Sequence, residues 1–242
     1  MIRMEKLNKF YGSFHAVKDL TLRVDRGEIF CFLGPNGAGK TTTLKMLTGL
    51  LRPSSGKAWI AGIDLAENPV AAKQRMAYIP DMPFLYDRLT ATEFFRFIGT
   101  LYGMPLEAID AECDRAFAFF GLLDHRAALV KDLSHGLRQR LVYAASFLHN
   151  PEVLFIDEPL IGLDPHTIRA IKRLLREKAR GGMTIFLTTH ILSLAEDVAD
   201  RIGIIMDGRL IELGTLAQIR ERSGSSGDLE EVFLALTETG EV

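Results

Sequence analysis

Residues 34–42 read GPNGAGKTT, and a run of mostly apolar residues, EIFCFLG at 28–34, feeds directly into them. No other stretch constrains this chain so tightly. From Gly34 to Thr41 the residues fit G-x-x-x-x-G-K-[ST], and each fixed position has a physical task. Gly34, Gly37 and Gly39, with Asn36 and Ala38 between them, let the loop wrap closely enough for backbone N–H groups to point inward at phosphate. Lys40 supplies a compact positive charge to the outer phosphates, and Thr41, followed by Thr42, offers a hydroxyl to Mg2+. The pattern has this meaning where a strand ends and a helix begins. It therefore predicts a strand over 28–33 and a helix from about 39 to 51, stopped by RPSSG.

The remainder reads as α/β. Short apolar strands are predicted at 2–7, 20–25, 57–61 and, at MAYI, 76–79. From 84 to about 150 the periodicity turns helical. TATE at 90–93 is a capping box, in which threonine and glutamate side chains satisfy each other's backbone N–H groups, and it opens a Phe-rich helix. Pro105 suits the start of the next helix, and a third spans 134–149. Alternation then returns, with strands at 152–157, 183–188, 202–206 and 209–213 and helices at 165–180 and 191–199. This order predicts an α/β fold with a P-loop NTPase core: a mostly parallel sheet, an N-terminal antiparallel β-subdomain and an inserted helical lobe near 84–150. Residues 1–222 form one nucleotide-binding domain in this reading. The tail, 223–242, opens on SGSSG, a flexible link, and closes with a short amphipathic helix, DLEEVFLALTE.

The glycine loop alone does not choose a reaction, since kinases, GTPases and helicases share it. VLFIDE at 153–158 adds the second half of a nucleotide site. Four apolar residues end in two acids. Asp157, at the strand end, can hold Mg2+ through its water shell. Glu158, next in the chain, can orient and deprotonate an attacking water.

Composition removes other classes. The net charge of −2 lacks the basic excess of a nucleic-acid binder, so no specific nucleic-acid partner is expected. No apolar stretch approaches the roughly 18 residues of a membrane helix. The start, MIRMEKLNKFYG, has no apolar signal-peptide core. Cys31 and Cys113 have no metal-ligand spacing and read as inert thiols of a reducing compartment.

LSHGLRQR at 133–140 looks like a second anion grip. Ser134 is a good helix N-cap, Gly136 permits close backbone approach, and Arg138 and Arg140 follow. VLFIDEP comes next, then IGLDP at 161–165, then IFLTTH ending at His190. In this order the motifs resemble the ATP-binding cassette (ABC) ATPases over nearly the whole chain. The resemblance implies ATP with Mg2+, ATP hydrolysis, and two cassettes packed head-to-tail. Ser134 and Gly136 then close on the γ-phosphate held by Lys40 of a second ABC ATPase subunit, identical or different. It further implies that Tyr11 stacks on adenine with Val17 as its apolar neighbour. Asp164 links the two sites, and His190 contacts γ-phosphate and holds the attacking water with Glu158.

Two positions depart from the family pattern. The usual LSGGQ has His135 for its first glycine and Leu137 for its glutamine, and His135 either adds a contact or fills space. After YIP the family usually carries glutamine, where Asp81 stands here. Two like charges about 4 Å apart cost roughly 4 kcal/mol at an effective dielectric near 20. Asp81 beside triphosphate therefore either meets Mg2+, directly or through water, or turns away.

The resemblance also implies a separate transmembrane permease subunit, and hence a place at the cytoplasmic face of the cell membrane. The expected contact is the aromatic segment DMPFLYDRLTATEFFRFIGTLYGM. GPNGAGKTTTLKMLTGLLRPSSG, IGLDP and DLEEVFLALTE are similar to ATPase subunits of bacterial exporters with separate membrane chains. The alternative is a soluble ABC ATPase of DNA repair or translation. Repair-type members insert long coiled coils, for which this chain has no room, and translation-type members usually carry two cassettes. The basic face of 165–180 reads as a solvated helix face.

Overall fold

The computed structural model describes residues 1–158 and 164–223, together with Leu229, Glu231 and Phe233. Two antiparallel strands, β1 (Ile2–Tyr11) and β2 (Phe14–Val24), open the chain as a hairpin. They extend beyond the expected 2–7 and 20–25. The polar residues Lys6, Asn8 and Lys9 break the apolar alternation where the pairing shifts register. Asn8 fastens these bulges: its amide donates to the Lys6 carbonyl and Asp19 Oδ1, and its oxygen accepts from the Asp19 N–H, each at 2.9 Å. Tyr11 and Phe14 end up paired at the hairpin tip.

The strand β3 (Ile29–Leu33) runs into α1 (Lys40–Leu47), followed by β4 (Ser55–Ile60), β5 (Ile63–Asp64), α2 (Pro69–Gln74) and β6 (Met76–Ile79). The helical lobe comes next: α3 (Ala91–Leu101), α4 (Leu106–Phe120) and α5 (His135–Phe147). Thr90 and Glu93 form the anticipated capping box at α3, and Pro105 caps α4. The chain returns through β7 (Val153–Asp157), α6 (Pro165–Arg180), β8 (Thr184–Thr189), α7 (Leu192–Val198), β9 (Arg201–Met206), β10 (Arg209–Gly214) and α8 (Leu216–Ser223). The helices α2 and α8 have no counterpart in the sequence expectation, because with six and eight residues they are too short to show a helical period. Of the tail read as link plus helix, Ser223 still belongs to α8, and Leu229, Glu231 and Phe233 are helical. Leu229 is buried with its N–H on Glu196 Oε1 (2.9 Å), Phe233 packs partly buried against the core, and the other residues lie outside the described ones.

The strands make two sheets, one antiparallel in the order β2-β1-β4-β5 and one in the order β10-β9-β3-β8-β7-β6. The second is parallel except for the edge strand β10. β3 is buried along its whole length because both faces are covered. Phe30 and Phe32 join Phe155 and Phe186 between the two sheets, while Ile29, Cys31 and Leu33 face the lobe and α6. Side chains alternate along a strand, so one apolar run feeds two cores. The parallel strands β3, β7 and β8 thus end at one edge of the sheet, where open α/β sheets bind ligands.

Candidate functional site

A cleft of about 370 Å³ lies at that edge, lined by Tyr11, Phe14, Ala16, Pro35, Asn36, Gly37, Gly39, Lys40, Thr41, Thr42, Asp81, Asp157 and Glu158. The glycine loop contributes most of one wall. Gly39 holds φ 105° at the N-cap of α1, and a Cβ there would meet the Ala16 carbonyl oxygen at 2.7 Å. At Gly34 a Cβ would lie 2.3 Å from the Ile205 carbonyl oxygen. Both glycines are therefore required by contact, and they seat the loop against β2 and β9. The first N–H groups of α1 have no acceptor inside the helix, and the helix start adds a partial positive charge. The turn between β9 and β10 braces the loop from behind, with the Gly208 N–H on the Ala38 carbonyl and the Gly208 carbonyl on the Lys18 N–H. No local sequence pattern announces this brace. Ala38 and Gly34 are buried supports of the loop rather than cleft-lining residues.

Lys40 is buried, and its ammonium is held by the carbonyls of Gly34 (2.7 Å) and Pro35 (3.1 Å). It stands 4.0 Å from Glu158 Oε1. Burial lowers its pKa, opposed by the carboxylates of Glu158 and Asp157. Across the cleft, Asp157 ends β7 with Oδ1 accepting from the Thr188 hydroxyl at 2.5 Å. Glu158 has a left-handed backbone, φ 49°, uncommon for a residue with a side chain. It is fixed there by its N–H on the Thr188 carbonyl (3.1 Å) and by the Thr189 hydroxyl on Oε2 (3.1 Å). His190 Nδ1 lies 2.9 Å from Glu158 Oε1. The ends of β3, β7 and β8 thus bring an ammonium, two carboxylates and an imidazole together. This unites Lys40, Asp157, Glu158 and His190, which are up to 150 positions apart in the sequence.

At the opposite end the hairpin tip presents two rings, Tyr11 at 48% and Phe14 at 62% exposure. Residues paired directly across an antiparallel hairpin share a face, so both rings serve the same cleft. Phe14 was not anticipated by sequence, because only the pairing with Tyr11 reveals it. Val17, expected beside Tyr11, is fully buried in the core between the sheets, and Ala16 lines the cleft instead. Strand alternation is the reason: one step along β2 exchanges the faces.

Ser134 and Gly136 do not line this cleft. Ser134 caps α5, its hydroxyl oxygen accepting from the Leu137 N–H at 3.3 Å. A Cβ at Gly136 would meet nothing within 4 Å, so the space above this helix start is open. Asp164 caps α6, accepting from the Thr167 N–H (3.0 Å) and hydroxyl (2.6 Å), and it also pairs with Arg140 of α5 (2.8 Å). The Thr167 bonds first, and then Arg140, hold its carboxyl well below the usual range.

The family model described as ABC transporter matches residues 17–161. The chain belongs to the ABC transporter family. Within it, the probable multidrug ABC transporter ATP-binding protein YbhF of Escherichia coli is 38% identical over 240 residues. That alignment takes in 98% of this chain and 41% of YbhF, so the chain spans less than half the length of that relative. The linearmycin resistance ATP-binding protein LnrL of Bacillus subtilis is 32% identical over 240 residues, 99% of this chain and 76% of LnrL. A solved ATP-binding subunit of an ABC transporter superposes with TM-score 0.93 at 34% identity, over 98% of this chain and 99% of that one. The α/β architecture, with its antiparallel subdomain and helical insertion, is thus that of an ABC cassette.

Proposed function

We propose that this chain binds and hydrolyses ATP as the nucleotide-binding subunit of an ABC exporter, with residues 1–222 as the working domain. The observation that carries the reading is the Glu158–His190 contact beside Lys40 at the mouth of a phosphate loop. Triphosphate lies along the loop N–H groups of 36–42, with Lys40 on its outer phosphates and the base against Tyr11 and Phe14. The oxygen donors Thr41, Asp157 and Asp81 share the cleft and suit Mg2+, which prefers a few carboxylate or hydroxyl oxygens plus phosphate and water. When bound there, Mg2+ neutralises charge on the phosphates.

Glu158 accepts a proton from water as the water oxygen bonds to the γ-phosphorus. The bond to the β,γ-bridging oxygen breaks, and ADP and phosphate leave. His190, held by Glu158, orients the same water and faces the γ-phosphate. The Thr189 and Thr188 hydroxyls keep the two carboxylates at their posts.

Ser134, exposed, and Gly136, half-buried, lie outside their own cleft, which suits a second cassette packed head-to-tail. The partner that does mechanical work is a separate transmembrane subunit. It docks on the aromatic surface of Met82 and Phe84 (86% and 85% exposed), continued by Tyr86 and Phe97. YbhF and LnrL carry drug-related names, which supports an exporter over a repair or translation ATPase. No helix among the described residues is long and apolar enough to cross a membrane, so membrane attachment in this reading runs through that partner.

Glu158→Gln tests the chemistry. It keeps the shape and removes the base. ATP binding should persist, phosphate release should fall by about 100-fold or more, as expected for loss of a general base, and a nucleotide-bound dimer should accumulate in gel filtration. Wild-type turnover in this variant would remove Glu158 from the mechanism.

A further inference from the structure

The helical lobe leaves the six-stranded sheet after β6 and returns to it before β7. β6 is an edge strand, with β7 as its sheet neighbour. The Arg75 carbonyl faces β7, accepting from the N–H groups of Glu152 (2.9 Å) and Val153 (3.1 Å). Successive carbonyls of a strand point to opposite sides, so that of Met76 points out to the free edge. Two side chains from the lobe meet it there. The Tyr102 hydroxyl, at the C-cap of α3, donates to it at 3.3 Å, and His149 Nε2, two residues beyond α5, lies 3.1 Å away. The two rings stack, with centroids 3.5 Å apart and planes 8° from parallel. A carbonyl can only accept, so Nε2 carries the proton.

This junction stands at the start of β6, whereas the cleft lies at the far ends of the parallel strands. The helix α5 spans the distance, with Ser134 at its other end. The groove above the junction, about 180 Å³, is lined by Tyr102 and His149, by Pro83 and Leu85, and by Phe84 of the proposed docking surface. We propose that the stacked Tyr102–His149 pair, hooked on the Met76 carbonyl, is the pivot on which the helical lobe turns against the sheet, and that it positions Ser134 and Gly136 for the nucleotide of a second cassette. The role in dimer closure rests on the ATPase reading above; the pivot itself does not. A helix of 13 residues is about 20 Å long at 1.5 Å per residue, so a turn of about 10° at one end moves the other by about 3 Å. That displacement makes or breaks a hydrogen bond. Tyr102 and His149 are positioning residues, since neither lines the nucleotide cleft.

The double variant Tyr102→Phe/His149→Phe keeps both rings and removes both donors. In the Glu158→Gln background, ATP-driven dimerisation should weaken about threefold to tenfold, the scale of one or two net hydrogen bonds. ATP affinity of the monomer should be unchanged, because the cleft is built by other residues. Hydrogen exchange in the free chain should quicken at residues 134–140 and stay slow in β3 and β8. His149→Gln, which retains an N–H donor, should dimerise as the parent does. A purely structural role would instead lower monomer ATP binding and thermal stability together. Should the double variant fail to fold, Tyr102→Phe alone is read by the same exchange experiment. Unchanged exchange at 134–140 overturns the pivot in either case. A parent chain that binds ATP yet never dimerises defeats the head-to-tail reading, and the exchange result still decides the pivot.

Discussion

Phe14 shows what one residue adds to this site. A phenyl ring exposed at 62% is costly in water unless something covers it, and it shares its face of the hairpin with Tyr11. Base stacking on an aromatic ring contributes roughly 1–3 kcal/mol, so Phe14→Ala should raise the dissociation constant for ATP by about fivefold or more. Tripolyphosphate, which has no base, should bind equally to both proteins in a competition assay. Equal weakening for both ligands would mean that Phe14 shapes the loop and not the base site. At Asp81 the expectation differs in kind. It lines the cleft with Thr41 and Asp157, so Asp81→Ala should shift the Mg2+ concentration for half-maximal ATPase upward, and a wild-type Mg2+ profile would leave Asp81 without a metal role. That Lys40, Asp157 and Glu158 lie together was legible from a phosphate-loop pattern and a strand ending in two acids, whereas His190 entered only through the family resemblance. Val17 and Phe14 were misjudged or missed because strand facing depends on register, and register here depends on bulges fastened by Asn8.

At the scale of elements, the buried strands β3, β7 and β8 were readable from their apolar runs, and the helices α3 and α4 from a capping box and a proline. The short helices α2 and α8 were not, since one or two turns cannot establish a period and owe their form to the surfaces they cover. Nor could sequence show that α3, α5 and β6 converge on a single carbonyl. This junction gives the elements a pH dependence. Burial lowers the pKa of His149 from 6.5, while its bond to the Met76 carbonyl raises it by less. The folded chain therefore holds the imidazole neutral, and the unfolded chain takes up a proton first as pH falls. Stability from this residue is complete above pH 6.5 and declines as pH drops below that value towards the folded pKa. Thermal melts from pH 7.5 to 5.5 should show the wild type losing more of its melting temperature than His149→Gln, which has no group titrating there. Parallel losses would assign the acid sensitivity to other groups.

At the scale of the molecule, the described residues form two apolar cores, and these divide it unevenly. One lies between the sheets. The other runs without a break from Cys31, Ile185 and Leu187 on the central sheet to Phe95, Cys113 and Phe117 in the helical lobe. A lobe that shares its core with the sheet can turn by small angles but cannot unfold alone, because its departure would strip the apolar cover from β3 and β8. The two cysteines report on this directly. Cys31 and Cys113 are buried, and burial pushes both thiols above their ordinary pKa, so each reacts only when its surroundings open. With a thiol reagent in increasing urea, the two should become reactive over the same concentration range, resolved by mass spectrometry of the peptides around residues 31 and 113. A shared midpoint means that sheet and lobe form one cooperative unit, and that domain motion in this chain is rotation about packed contacts. Reaction of Cys113 at clearly lower urea would show that the lobe opens by itself, and the continuous core would then not hold it to the sheet.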